Sequence, residues 1–338
     1  MDRTLIAAVI AFTLLALGFI AIERLWPAVR GQRLLRDGWK TDAVYWLFTP
    51  IVSKNLARLG IGVMLAALLL ISGAKVNREN IEAAIAGRDT WFSTWPIWVQ
   101  ALSVLVLSDF TAYWMHRAFH GRLFQASERS QFRSAERAGQ GSRAEACLED
   151  TCGEANAALR SSPPEIGRER GLKQPLTGWL WRVHAVHHSS RELDWLASVR
   201  LHPLNELITR MVQVLPFYFL GFSPLVLAGV APFLSLYAIL LHANVNWSFG
   251  PLRYVIASPL FHRWHHTSEE EGLDKNFAGL LPIWDLLFGT WHMPQGKHPQ
   301  KFGIVGNDMP QSLWGQMMYP FRVNRSPTSA SFPRQCHR

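Results

Sequence analysis

Thirteen histidines occur in this 338-residue chain, and most of them fall in short groups with regular spacing. The segment HRAFH (116–120) has the spacing HxxxH, and the segments HAVHH (184–188) and HRWHH (262–266) both have the spacing HxxHH. Composition alone predicts on the order of 0.02 HxxHH matches in such a chain, so two matches do not follow from histidine content. Neutral imidazole is a common metal ligand, and metal binding is therefore the first chemistry that these groups suggest.

The spacing also indicates how many ions would be bound. On an α-helix, positions i, i+3 and i+4 lie within about 100° of one another, so each group turns its imidazoles to one side. Three such helix ends, together with His242 in HANVN, bring too many imidazoles for one four- or six-coordinate ion. Two ions with about four imidazoles each fit, which predicts a dinuclear site. Imidazole suits zinc, copper, iron and nickel, so the ligand type leaves the metal open.

The elements that must position these groups are predicted to be membrane helices. Hydrophobic residues make up 49% of the chain and charged residues only 17%, against about 25% charged in a soluble domain. Residues 4–22 carry no charge and predict an uncleaved first span. Further apolar runs predict a second span at 43–52 and 59–73, a third at 95–115, and a hairpin at 207–241 that turns at GFSP. The predicted fold is an all-α integral membrane bundle with a cytoplasmic helical cap that holds the dimetal site.

Loop charges predict the orientation of this bundle. Between the first two spans lie five basic residues, which assign that loop to the cytoplasm: Arg24, Arg30, Arg33, Arg36 and Lys40. Alternation of the spans then places the histidine groups on the cytoplasmic side, and we expect a bacterial inner-membrane protein. The net charge of +9 is explained by basic residues that flank apolar runs and attract anionic lipid. No nucleic-acid motif appears, so no nucleic-acid partner is expected.

Two other kinds of protein stay open as alternatives. A membrane zinc-dependent lipid hydrolase would normally offer a glutamate as general base, as in HExxH, and none of the groups has that form. A non-enzymatic metal-handling or transport protein is disfavoured because the histidines lie at one membrane face and the spans contain no internal polar path.

The order HxxxH, HxxHH and a later HxxHH after hydrophobic spans resembles the membrane fatty acid hydroxylase and sterol desaturase superfamily. The wider phrases SDFTAYWMHRAFH, LWRVHAVHHSS and DKNFAGLLPIWDLLFGTWHMP resemble it as well. The resemblance implies a centre of two iron ions that uses O2 to hydroxylate or desaturate a lipid such as a sterol or fatty acyl chain. The ligands that it implies are His116, His120, His184, His187, His188, His242, His262, His265 and His266. Since no haem or flavin motif is fused to the chain, it also implies an external electron donor, a ferredoxin or small cytochrome with an NAD(P)H reductase.

Five further residues are expected to surround the ligands without being ligands themselves. His202 and Glu206, in HPLNE, are predicted neighbours of the site, with Glu206 orienting a ligand histidine. Asn246 stands where some related hydroxylases have a histidine, and we expect it to hold a metal through water or to hydrogen-bond to a ligand. Asn276 and Asp285 are expected to cap or orient the helices that carry the ligands.

Composition divides the chain into four parts. Residues 1–121 hold the N-terminal spans and end in the first histidine group, and residues 176–322 form the catalytic region with the hairpin at 207–241. Between them, residues 122–175 are polar and rich in Arg, Glu, Ser, Ala and Gly, which predicts an inserted, disordered cytoplasmic loop. Residues 323–338 are predicted to be a disordered tail.

Overall fold

A computed structural model describes residues 3–86, 89–123, 175–305 and 309–322. Over these residues the chain is helical, and its β pairing is limited to two isolated bridges, Pro27–Val245 and Thr267–Phe302. The α-helices are α1 (Arg3–Leu25), α2 (Trp39–Phe48), α3 (Lys54–Ile71), α4 (Arg78–Ala86), α5 (Ile97–Phe119), α6 (Pro175–His188), α7 (Pro203–Leu220), α8 (Pro224–His242), α9 (Pro259–His265), α10 (Ile283–Leu287) and α11 (Leu313–Met318). Short 3-10 turns lie at Phe92–Thr94, Trp195–Val199, Gly250–Tyr254, Glu270–Gly272 and Tyr319–Phe321. The prediction of a helical protein is therefore confirmed.

Three helical stretches of the described chain are long and apolar enough to cross a membrane: Trp39–Ile71, Ile97–Phe119 and Pro224–His242. Apolar side chains such as Leu59, Leu102 and Leu225 are exposed on them, as expected for surfaces that face lipid. Helix α1 covers the first predicted span, and α7 and α8 form the predicted hairpin, with Gly221 ending α7 in the left-handed conformation at φ 70°. That α1 and α7 also cross the membrane stays a prediction.

The second predicted span is one continuous helical stretch instead of two runs separated by charge. Pro50 lies in a π-helical turn, Thr49–Ser53, that joins α2 to α3 without a break. The wider turn tolerates the missing N–H of the proline. Lys54 and Arg58, which interrupt the apolar pattern, lie on this stretch with exposed side chains, and long basic side chains of this kind can extend toward lipid headgroups.

The bundle has two distinct ends. At one end, the turn between α7 and α8 meets the segment before α5, where Thr90 donates to the carbonyl of Leu220 and Ser223 N–H donates to Gln100. At the other end, the loop after α1 pairs with the residues after α8, since Asn246 N–H donates to the carbonyl of Trp26. All the histidine groups belong to this second end, together with the basic loop at 26–38.

A buried network of charges fixes that loop to the histidine end. Arg36 is 2% exposed and binds both Asp42 at 2.7 Å and Asp194 at 2.5 Å. Arg200, 1% exposed, binds the second oxygen of Asp42 at 2.6 Å. Two arginines and two aspartates balance one another, which is what makes their burial tolerable. Arg36, one of the five basic residues of that loop, is therefore buried and serves as a structural residue.

The predicted polar loop at 122–175 and the predicted tail at 323–338 lie almost entirely outside the described residues. The exceptions are Arg122 and Leu123 at the start of the loop and Pro175, which begins α6.

Candidate metal centre

Every histidine predicted as a ligand lies at or next to the end of a helix. His116 is in the last turn of α5 and His120 follows it, whereas His184, His187 and His188 lie at the end of α6. His242 is the last residue of α8, His262 and His265 lie on α9, and His266 is its C-terminal cap. The polar ring of each histidine thus leaves the apolar part of its helix and enters the space between four helix ends.

The nine histidines form two groups, within each of which one nitrogen from every ring lies within 4.8 Å of the others. Five histidines make the first group: His116, His120, His184, His188 and His265. Four make the second group: His187, His242, His262 and His266. The groups adjoin, because the rings of His188 and His266 stack with centroids 4.4 Å apart. This division is what the spacing predicts for a dinuclear site.

Six of these rings use Nδ1 to bind the surrounding protein. Four donate to backbone carbonyls: His116 to Phe277 at 2.8 Å, His187 to Arg200 at 3.0 Å, His242 to Ala238 at 2.7 Å and His265 to Lys275 at 2.8 Å. The other two lie against side-chain oxygens, His120 against Asp274 at 3.1 Å and His184 against Asn205 at 2.9 Å. A carbonyl only accepts, so the proton of each of the four rings is on Nδ1 and its Nε2 carries a lone pair.

Within each group, Nε2 atoms of different histidines lie at short distances from one another. His187 and His242 approach at 3.1 Å through Nε2, and His188 and His265 approach at 3.1 Å. In the first pair both Nδ1 atoms carry the proton, so two lone pairs meet with no hydrogen between them. Two nitrogens at about 2.1 Å from one metal ion and 90° apart lie about 3.0 Å from each other. The donor set therefore fits cations held between the rings.

Histidines of the two groups bind protons weakly, so they are neutral near pH 7. Burial, reinforced by the neighbouring histidines, holds the pKa of His188 and His265 well below the ordinary value. Burial also lowers the pKa of His187 to about 4, against the opposing effect of its hydrogen bond to Arg200. Nε2 of His116 is buried with no hydrogen-bond partner in the described chain. Neutral imidazoles with inward lone pairs are the form that binds a metal.

A single short segment, Asp274 to Phe277, orients three histidines of the first group. Asp274 accepts from His120, the Lys275 carbonyl accepts from His265, and the Phe277 carbonyl accepts from His116. Asp274 and Asn276 have positive φ values of 56° and 57°, a conformation that Asp and Asn tolerate better than most residues. Residues of positive and negative φ alternate along this segment, and this conformation turns the three acceptors toward the histidines.

Two predicted neighbours hold this segment in place. The side-chain amide of Asn276 donates to the carbonyls of Phe261 and His292, and its oxygen accepts from His292 N–H at 2.7 Å. Asp285 accepts from the N–H groups of Phe277 and Ala278, and burial raises its pKa to about 6. Both side chains are fully buried, so they act on the ligands through the backbone that they fix.

Asp109, which was not singled out in the sequence, extends this support to α5. Its carboxylate accepts from the backbone N–H groups of Gly279, Leu280 and Leu281 and from the indole of Trp284. A single acidic residue inside an otherwise apolar helix is the sequence signal that could have identified it. It joins the segment beyond Phe277 to the helix that carries His116.

Two of the other predicted neighbours do not contact the histidine groups in the described chain. Glu206 pairs with Arg210 at 2.9 Å, and the residue before it, Asn205, binds His184 instead. The expectation that Glu206 orients a ligand is one position off, because the turn of α7 that faces α6 presents Asn205. His202 caps α7 by accepting from Leu204 N–H and also binds the carbonyl of Met317.

Asn246 is exposed and contributes to neither histidine group. That Asn246 holds a metal through water or hydrogen-bonds to a ligand stays a prediction. The local geometry does not favour it, because the chain leaves helical geometry after His242 and the HxxxH spacing no longer places position 246 above it. The buried asparagine of this stretch is Asn244, whose amide bonds both the N–H and the carbonyl of Val29. Asn244 thus fixes the loop after α1 beside the histidine end.

The fold and the site define a class: a helical membrane protein with two adjoining groups of histidines that could hold metal ions. Residues 173–290 match the family model of the fatty acid hydroxylases, a segment that carries seven of the nine histidines and covers about a third of the chain. Residues 173–290 thus form a fatty acid hydroxylase domain, and the predicted resemblance to the membrane fatty acid hydroxylase superfamily is confirmed.

Curated relatives agree with this placement. An ornithine lipid hydroxylase of Rhizobium tropici is 32% identical over 42% of this chain and 43% of its own length. The alkylglycerol monooxygenase of Homo sapiens is 34% identical over 35% of this chain and 26% of its own length. The alkylglycerol monooxygenase of Caenorhabditis elegans is 26% identical over 39% of this chain and 26% of its own length. The chain therefore matches less than half of the length of these relatives. No solved structure matches.

Proposed function

We propose that this chain is a membrane-bound, O2-dependent lipid hydroxylase whose nine clustered histidines hold two iron ions. The observation that carries the proposal is the convergence of histidine ring nitrogens in two groups of five and four, within 4.8 Å of one another in each group. The relatives named as a lipid hydroxylase and as monooxygenases favour insertion of oxygen over desaturation. Their named substrates, an ornithine lipid and alkylglycerols, favour a polar lipid as the substrate.

Iron is proposed over zinc because the donor set is not the one that is typical of a zinc hydrolase. In the described part of the chain the two groups contain only histidine, so no carboxylate is placed among the ligands as a general base. Breaking an alkyl C–H bond exceeds the chemistry of side chains, and a pair of iron ions supplies the activation of O2 that this reaction requires. A membrane zinc lipid hydrolase stays the alternative enzyme.

The residues of the chain would serve that chemistry in three ways. Asp274, Lys275 and Phe277 fix the ring orientation of the histidines that contact them. Buried aromatic side chains, among them Tyr113, Phe261 and Trp264, pack around the site and exclude water. Helices α5 and α8 lead from the apolar bundle directly to His116 and His242, so the acyl part of a lipid could remain in the membrane.

We also propose how the bundle is oriented in the membrane and where its electrons come from. The basic loop and the histidine groups lie at the same end of the bundle, so a cytoplasmic loop would also place the site at the cytoplasmic face of a bacterial inner membrane. Electrons would come from an external ferredoxin or small cytochrome with its NAD(P)H reductase.

Lipid analysis under labelled oxygen tests the proposed activity. Membranes from cells that express the protein, incubated with 18O2, should yield a polar lipid with one labelled oxygen atom. Membranes that carry His265→Ala, at equal expression, should lack it. Labelled lipid from both kinds of membrane, or none from either despite full iron loading, would refute the assignment.

A further inference from the structure

A polar pocket of about 210 Å³ opens beside the end of α1, at the histidine end of the bundle. Its walls come from Glu23 and Arg24, from the loop at 27–34, and from Asp194 and Asn244. Asn244 follows His242 by two residues, which at about 3.6 Å per residue keeps the pocket close to the second histidine group. Sites for drug-sized ligands span about 300–1,000 Å³, so this pocket suits a small polar group and not a whole lipid.

Three arginines line the pocket without a partner in the part of the chain that the structure describes. Arg24, Arg30 and Arg33 are exposed, and they form no hydrogen bond or ion pair with any residue of the described ranges. A guanidinium group presents a planar fork of N–H donors that matches a phosphate or carboxylate in a bidentate manner. The pocket is therefore built to receive an anionic group.

Glu23 adds a site for a cation in the same pocket. Its Oε1 accepts both of its hydrogen bonds, from the N–H of Trp195 at 2.9 Å and of Asn244 at 2.8 Å. The other oxygen, Oε2, accepts none within the described chain. Asp194, the second acidic residue of the pocket, is instead occupied by Arg36. A half-buried carboxylate with one oxygen available favours an ammonium group beside the anion.

The surroundings place this pocket at a lipid surface. Next to the arginines, large apolar side chains are exposed: Leu25 by 67%, Trp26 by 51%, Leu34 by 43% and Leu35 by 63%. Basic residues interleaved with tryptophan and leucine are typical of segments that lie at the membrane–water interface, where headgroups are found.

We propose that the pocket binds the zwitterionic headgroup of a membrane lipid. The anionic group of the lipid lies on Arg30 and Arg33, with Arg24 beside them, and its ammonium group lies on Glu23. Binding of this kind requires neither the metal centre nor turnover, so it can be tested whether or not the chain oxidises lipids.

Calorimetric titration of the full-length protein in neutral detergent tests this proposal. The probes are dihexanoyl phosphatidylethanolamine, which carries both charges, dihexanoyl phosphatidylglycerol, which lacks the ammonium group, and phosphoethanolamine, which lacks the chains. The double variant Arg30→Gln/Arg33→Gln should weaken binding of phosphatidylethanolamine by about tenfold or more. Arg78→Gln, whose parent side chain is 90% exposed on α4, is the matched control and should change nothing.

The variant Glu23→Gln tests the ammonium site. Its amide oxygen can still accept from Trp195 and Asn244, so the fold is preserved. It should weaken binding of phosphatidylethanolamine and leave phosphatidylglycerol unchanged. Equal loss for both lipids would overturn the ammonium assignment, and unchanged binding in the double arginine variant would overturn the pocket. Binding of phosphoethanolamine as tight as that of the lipid would show a site for a soluble ligand.

Discussion

At the residue scale, the sequence predicts which histidine rings meet but not which groups hold them in place. The HxxxH and HxxHH spacings predict which rings meet, because helical geometry converts spacing into direction. The acceptors that fix those rings are mostly backbone carbonyls, such as those of Arg200, Lys275 and Phe277. Any residue type supplies a carbonyl, so no pattern in the sequence could identify them.

Replacement of a single ligand should be decisive. His265→Ala removes a ring that is 2% exposed, and we expect lipid oxidation to fall by more than about 100-fold with loss of bound metal. The control is His298→Ala, at a histidine outside both groups, which should keep metal and activity. Metal analysis and turnover measured on the two variants in parallel test the assignment, and similar losses in both would contradict it.

The histidines also predict a pH dependence for the metal-free protein. Burial lowers the pKa of His187 to about 4, below the value of about 6.5 in an unfolded chain. Between these values the unfolded state binds more protons, so the stability of the metal-free protein should rise with pH from about 4 to 6.5 and then level off. Thermal unfolding of chelator-treated protein in detergent measures this. A melting temperature that rises as the pH falls through this window would disagree.

At the element scale, the helices were largely predictable and their fine packing was not. Uncharged apolar runs predict the spans, and GFSP predicts the hairpin turn, because both depend on local composition. The continuous stretch across Pro50 depends on a π-turn, and the contact of Asn205 with His184 depends on the rotation of α7 against α6. Such features are set by packing between elements distant in the chain.

A substitution in the segment from Asp274 to Phe277 should weaken metal binding by the histidines that this segment orients. Asn276→Ala removes three buried hydrogen bonds and strains a residue at φ 57°, so we expect a loss of about 3 kcal/mol of stability and about tenfold weaker metal binding. The control Asn80→Ala changes a half-buried asparagine on α4, which donates to the carbonyl of Lys75 and belongs to neither histidine group. Chemical denaturation and metal titration check both effects, and normal metal affinity in a destabilised Asn276→Ala would show that the segment only supports the fold.

At the scale of the whole molecule, the described helices bring together all nine histidines that the sequence predicts as ligands. Composition predicts that residues 122–175 are an inserted loop, so replacing residues 126–170 with a short Gly/Ser linker should preserve metal content and activity. The ends are kept because Arg122 binds Asp274, which in turn contacts His120. Iron content and turnover of the shortened protein measure this, and loss of both would show that the loop is structural.

The central claim is tested most directly by the metal content of the protein itself. We expect protein purified in detergent and loaded anaerobically with ferrous ion to contain about two iron ions per chain. It should also consume O2 when a reductant and lipid are supplied. Two zinc ions per chain in the active protein, with no O2 consumption after iron loading, would contradict the assignment of this centre to lipid oxidation.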